Sequence, residues 1–123
     1  MRNWESVCGL KSITIPGSVK RIESSAFYNC KGLQSVTLEE GICRLEERGC
    51  PFYGCDNLTN ISLPSTLEAV PGSFFRDLPN LKSITIPSKV KSIGEQAFNG
   101  CKALTIVNLP NNLEAIGSYA FDN

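Results

Sequence analysis

The sequence predicts a β-rich solenoid, in which one short coil is wound five times. Such a solenoid has one parallel sheet of short strands, with turns and short segments on its convex side. Three observations carry this. The word LKSITIP occurs twice without a change, at 10–16 and again at 81–87. Looser forms of it start at Leu10, Leu33, Leu58, Leu81 and Leu104, at spacings of 23, 25, 23 and 23 residues. Each copy is followed by a phenylalanine and then, in most copies, by a cysteine. A unit this short cannot bury its apolar side alone, and stacking the units makes one continuous core.

The elements follow from the columns of the repeat. Counting the first leucine as column zero, columns three and five hold Ile13/Ile15, Val36/Leu38, Ile61/Leu63, Ile84/Ile86 and Val107/Leu109. Thr14, Thr37, Ser62, Thr85 and Asn108 stand between them. Apolar–polar–apolar is the period-two sign of a strand with one buried face. Strands are therefore expected near 12–15, 35–38, 60–63, 83–86 and 106–109, in a single curved sheet with little or no α-helix. Pro16, Pro64, Pro87 and Pro110 come next, where a strand leaves its ladder and an N–H is not needed.

The pairs Val19/Ile22, Ile42/Leu45, Leu67/Val70, Val90/Ile93 and Leu113/Ile116 read as short extended segments separated by turns. Phe27, Phe52, Phe75, Phe98 and Phe121 then point inward, preceded in three coils by Ala26, Ala97 and Ala120. Two residues on stand Asn29, Gly54, Asp77, Gly100 and Asn123, the residue types that tolerate positive φ, so this column closes a left-handed turn. Cys30, Cys55, Leu78 and Cys101 return to the core.

Composition excludes several classes of function. Twelve basic and twelve acidic residues cancel, so no overall field attracts nucleic acid or anionic lipid. No apolar stretch approaches the roughly 20 residues of a membrane-spanning helix, so membrane insertion is not expected. The N-terminal MRNWESVCG has no apolar signal core. Histidine is missing, which removes Ser-His-Asp and Cys-His nucleophile systems and the usual general base near neutral pH. Carboxylates occur singly along the surface, with none paired for acid–base work, so no catalytic residue and no cofactor are expected.

Residues 81–101, LKSITIPSKVKSIGEQAFNGC, match every fixed position of L-x-x-I-x-I-P-x-x-V-x-x-I-G-x-x-A-F-x-x-C. That phrase resembles the leucine-rich repeat, and more closely its BspA-like class, over residues 10–123. The repeats are 10–32, 33–57, 58–80, 81–103 and 104–123, and residues 1–9 look like the remnant of a preceding coil, with Trp4 and Val7 in its Phe and Cys columns. Residues 33–55 depart from the phrase. Glu39 replaces Pro, Pro51 replaces Ala, and two residues are inserted within Glu46–Cys50, which predicts a bulge on that coil's convex side. No Asn occupies the column after the strand, so the asparagine ladder of other leucine-rich repeats is expected to be absent. The resemblance implies a right-handed coil in a cell-surface or secreted recognition protein, with roles in adhesion and protein binding and no catalytic residues.

The remaining motifs have plain readings. Cys30, Cys55 and Cys101 share a column with Leu78, as small buried hydrophobes do. Side chains in parallel coils point alike and stand farther apart than the ~3.8 Å between Cβ atoms of a disulfide. Cys8, Cys43 and Cys50 lie in exposed columns. Cys43 and Cys50 flank the irregular segment, where a disulfide is an alternative to two unpaired thiols. There is no CxxC and no convergent ligand set, so no metal site is expected. Asn57-Leu58-Thr59 and Asn60-Ile61-Ser62 match the N-glycosylation tripeptide and are read as incidental. Lys20, Arg21, Arg44, Lys89 and Lys91 alternate with Glu23, Glu46, Glu47, Glu68 and Glu114, as on a solvated face.

Two functions compete. The first is a non-catalytic module binding a protein or glycan, such as a host extracellular protein, and the alternative is a structural spacer with no partner of its own. Columns two and four must face away from the core. That places Ser35, Thr37, Asn60, Ser62, Ser83 and Thr85 side by side, with Gln34 and Lys82 at the margin and Ile106 as an apolar anchor. Tyr28, Tyr53 and Arg76 form a rival row of residue types enriched at interface hot spots. At the uncapped ends, Leu10, Ile13 and Phe27, and Leu113, Ile116 and Phe121, are expected to be partly uncovered and to favour end-to-end self-association.

Overall fold

The computed structural model describes residues 9–23, 26–46 and 49–122. The preceding coil expected at Trp4 and Val7, together with Cys8, Glu47 and the turn position Asn123, lies outside them. Among the described residues there is no α-helix, and the chain is a solenoid of short parallel strands. One strand of each coil lies on the display side: β1 (Ser12–Ile15), β2 (Ser35–Leu38), β3 (Asn60–Ser62), β5 (Ser83–Thr85) and β7 (Ile106–Asn108). The first two have the expected bounds, and the last three stop one residue short of them.

The apolar pairs on the convex side form a second ladder of two-residue strands, β4 (Ala69–Val70), β6 (Ser92–Ile93) and β8 (Ala115–Ile116), in the order β4-β6-β8. The core lies between the two ladders. Columns three and five alternate inward as predicted: Val36, Leu38, Ile61, Ile84 and Ile86 are buried, while Thr37, Ser62 and Thr85 between them are exposed. In the last coil Val107 is only partly covered and Leu109 is 45% exposed.

The phenylalanine column is the spine. Successive rings lie nearly flat on one another, with centroids 5.3 Å apart for Phe27–Phe52, 5.8 Å for Phe52–Phe75, 5.5 Å for Phe75–Phe98 and 5.3 Å for Phe98–Phe121. Phe74 meets Phe52 and Phe75 edge-on and fills the space that Ala97 and Ala120 occupy in later coils. The expectation of a partly uncovered Phe27 is corrected: it is 7% exposed, because its ring is stacked flat on Phe52. Leu10, Ile13, Leu113, Ile116 and Phe121 are exposed or only partly buried, as expected of end positions.

The column two residues after Phe is left-handed as predicted, at Asn29 (φ 58°), Gly54 (φ 85°), Asp77 (φ 59°) and Gly100 (φ 81°). The two glycines have a second reason. A Cβ on Gly54 would run into Oδ1 of Asn29, and one on Gly100 into Oδ1 of Asp77. Each side chain therefore lies over the bare backbone of the next coil.

Two interruptions break the regularity, and the first corrects the single-sheet expectation. On the display side the strands divide into β1-β2-β3 and β5-β7, with no ladder between β3 and β5. On the convex side, Gly94 and Gly117 donate their N–H to the carbonyls of Val70 and Ile93, both at 2.8 Å. Pro71 stands in the equivalent place in the third coil and has no N–H to give. The second ladder thus starts only at β4, next to the coil with the insertion, where the bulge was expected.

Two substitutions test this packing. Phe98→Ala removes a fully buried ring from the middle of the stack and is expected to cost roughly 3–5 kcal/mol in chemical denaturation. An unchanged denaturation midpoint would show that the column does not carry the core. Gly54→Ala is expected to cost at least about 1–2 kcal/mol, the price of a left-handed residue with a Cβ. Asn29→Ala combined with Gly54→Ala should recover the part due to the clash, so the two effects will not add.

Candidate functional site

The display face is built by the alternation of the strands. Ladder register aligns Ser12 with Ser35 and Asn60, and Thr14 with Thr37 and Ser62. In the second sheet Ser83 aligns with Ile106 and Thr85 with Asn108. Neighbouring strands are ~4.8 Å apart, so these side chains form regular rows. Thr37, Asn60, Ser62, Ser83 and Thr85 are exposed, Ser35 is half-buried, and Ile106 is 57% exposed. Asn108 Nδ2 donates to Thr85 Oγ1 at 3.3 Å. Gln34 and Lys82 are exposed at the margin, and their backbone carbonyls take the first N–H groups of the following strands.

Between β3 and β5 the face opens into a cleft of about 500 Å³. Its lining includes Asn60, Ser62, Ser65, Ser83, Thr85 and Glu40. Glu40 accepts hydrogen bonds from Ser65 N at 2.8 Å and from Ser65 Oγ at 2.5 Å. Those bonds hold its carboxyl below the usual carboxylate range. The cleft was not foreseen, since a missing ladder leaves no mark in the strand columns.

The rival row is a pair rather than a triad. Tyr28 and Tyr53 stack at 5.7 Å and are 48% and 43% exposed. Arg76 is half-buried and turned to its own neighbours, with Nε 3.4 Å from the Asp77 carboxylate and a guanidinium N–H donated to Gln96 at 3.3 Å.

Surface charge is spent between coils. Arg21–Glu46, Lys31–Asp56, Arg44–Glu68 and Lys91–Glu114 pair across adjacent coils at 3.5, 2.8, 3.2 and 3.6 Å. Exposed pairs of this kind contribute at most about 1 kcal/mol each, but they leave no basic stripe. The Asp56 carboxylate also holds the Lys31 ammonium above its ordinary range. Asn57 Nδ2 donates to the Lys31 carbonyl at 2.7 Å and Asn80 Nδ2 to the Asp56 carbonyl at 2.6 Å. An asparagine ladder of two rungs therefore exists, placed before the strand rather than after it.

Among the described residues, Cys43, Cys50 and Cys101 are free thiols, so Cys43 and Cys50 do not form the alternative disulfide. Cys55 Sγ donates to the Phe27 carbonyl at 3.0 Å and Cys101 Sγ to the Phe75 carbonyl at 3.1 Å, so the thiols also join adjacent coils. Cys43 is exposed, and Cys50 is half-buried rather than exposed, which pushes its thiol up. Among the described residues, no group of three His, Cys, Asp or Glu could hold a metal ion, and no helix is long and apolar enough to cross a membrane.

Fold and face together define a leucine-rich-repeat solenoid that presents an uncharged, hydroxyl-rich sheet. The model of the BspA type leucine rich repeat region matches residues 4–123 in six copies, and the chain belongs to that family. It is similar to part of a leucine rich cell surface protein from Faecalibacterium prausnitzii, with a TM-score of 0.79, 32% identity, and coverage of 92% of this chain and 29% of that one. A leucine-rich repeat protein from Bacteroides ovatus superposes with a TM-score of 0.70 and 30% identity, over 93% of this chain and 35% of that one. The chain thus spans about a third of the length of these relatives. Among curated proteins there is no significant match. Leucine-rich repeats of this kind are generally non-catalytic scaffolds.

The thiols give a direct test of burial. Maleimide labelling at neutral pH, read by peptide mass mapping, should modify Cys43 first and Cys50 more slowly, with Cys30, Cys55 and Cys101 protected until unfolding. Burial pushes the Cys101 thiol up to about 11 from an ordinary value of 9.0. The unfolded chain therefore loses this proton first. The stability held by the neutral thiol is full below pH 9 and is lost as pH rises through 9 to about 11, which thermal melting across that window will show.

Proposed function

We propose that this chain is a non-catalytic binding module of a cell-surface or secreted protein, whose display face engages a protein or glycan, such as a host extracellular protein, in adhesion. The single observation that carries the reading is the in-register display of uncharged polar side chains on a rigid backbone, from Ser12–Ser35–Asn60 to Thr85–Asn108. Groups held in fixed rows lose little conformational freedom on binding. The central rows carry no charge, with lysines only at the margin, so the expected affinity is modest and depends weakly on salt. The description of the Faecalibacterium relative as a cell surface protein supports the location.

The stacked, exposed pair Tyr28–Tyr53 supports a second contact surface on the same module. A pull-down from extracellular-matrix and cell-surface extracts, followed by binding measurements with variants, decides between the two. Thr37→Arg with Thr85→Arg is expected to weaken binding by at least about tenfold, or 1.4 kcal/mol, while Tyr28→Ala with Tyr53→Ala leaves it nearly unchanged. Loss in the tyrosine pair alone overturns the display-face assignment. No loss in either pair would favour the spacer.

A further inference from the structure

Neighbouring coils elsewhere in the solenoid are bonded on both of their halves. On the return half, which carries the phenylalanines, Phe27 and Asn29 donate their N–H to the second coil, Phe75 and Asp77 to the fourth, and Phe98 and Gly100 to the fifth, at 2.7–3.2 Å. On the strand half, Gln34 donates to Lys11, Thr59 to Gln34 and Thr105 to Lys82, at 2.7–3.0 Å. The third coil keeps only one half of each joint. Among the described residues, Phe52 and Gly54 make no such backbone bond forward to it, and Lys82 makes none back to it. A cleft lies on the open half of each joint. One of about 490 Å³ has Leu45 and Glu46 of the second coil and Val70 and Pro71 of the third in its lining, and the other is the display cleft between β3 and β5.

A single tilt accounts for both gaps. A third coil whose return half leans toward the fourth coil and whose strand leans toward the second keeps one half of each joint and loses the other. Phe74 is the wedge. Ala97 and Ala120 hold its place in later coils, and its ring meets Phe52 edge-on at 5.9 Å, on the half that has come apart. The Phe52–Phe75 step is accordingly the widest of the stack, at 5.8 Å. Pro71 has no N–H with which to close that half, as Gly94 and Gly117 do in their coils. We propose that the third coil, residues 58–80, is a rocker. It swings as one body between this tilted position and the regular one, in which both gaps close. The display face then alternates between two pads divided by the cleft and one continuous sheet. The travel is short, since Cα atoms of β3 and β5 already approach within 8 Å, against ~4.8 Å between laddered strands. A ligand that bridges both banks favours the closed arrangement, and its affinity is scaled by how much of that arrangement is populated.

Relaxation-dispersion NMR of the whole chain tests this, because collective motions of this kind fall between microseconds and milliseconds. The amide of Gly54, on one joint, and those of Ser83 and Thr85, on the other, are expected to share one exchange rate. A rigid coil moves both joints together, whereas local slack would give each its own rate. Phe74→Ala removes the wedge and should quench the dispersion at both joints. Where loss of that buried ring unfolds the chain, Pro71→Gly takes its place, supplying the missing N–H and leaving the rings intact. Native-state hydrogen exchange at Gly54, Ser83 and Thr85 should then slow by at least about fivefold, as one added backbone bond implies. Dispersion missing from either joint, or unrelated rates at the two, overturns the proposal. So does a folded Pro71→Gly variant whose protection rises at neither joint or at one alone.

Discussion

Five phenylalanine rings lie face to face along the solenoid at 5.3–5.8 Å, and every other regularity of the molecule requires that they do. A ring can rest on its equivalent only if each coil returns the chain to the same place. The turns beside the rings are held to that closure by left-handed residues at Asn29, Gly54, Asp77 and Gly100. Closure in turn sets the register of both ladders. The insertion in the second coil shows how narrow the tolerance is. Its two extra residues leave the Phe27–Phe52–Phe75 stack intact, and the convex ladder is broken beside it, where Pro71 has no N–H to give.

Much of this was legible in the residues. Period-two alternation placed the strands to within a residue, because side-chain direction in a strand is fixed by geometry. The first left-handed column was legible because only Asn, Gly and Asp occur there. A second one was not. Ser73, Gln96 and Tyr119, each two residues before its phenylalanine, have φ of 59–60°, yet Ser, Gln and Tyr have no special claim on that conformation. The stacked coils impose it from outside. The two-rung ladder of Asn57 and Asn80 was missed because it stands before the strand, in a column that is Gly or Ala in other coils.

The cleft was hidden for a different reason. It lies where no ladder joins β3 to β5, while the strand words ISLP and ITIP on its two banks look as regular as any other. The third coil does carry one mark. Lys31, Asp56 and Lys102 each donate an N–H across the turn, to Asn29, Gly54 and Gly100 at 2.8–2.9 Å, and Pro79 holds that column in the coil where the ladder fails. A proline outside a strand thus coincides with a change in how the strand pairs.

Stability and display are carried by different atoms of the same strand. Columns three and five, the phenylalanines and the thiols bind coil to coil, and four exposed ion pairs also link adjacent coils. The outward columns therefore owe little to the fold, and Ile106 can stand in a row with Ser83 without disturbing β7. A uniform face built this way would offer the same weak contact on every coil. The interruption between β3 and β5 makes one place different, where the rows of side chains border a cleft. Any specificity of this module then depends less on which polar residues fill its rows than on where the ladder beneath them is broken.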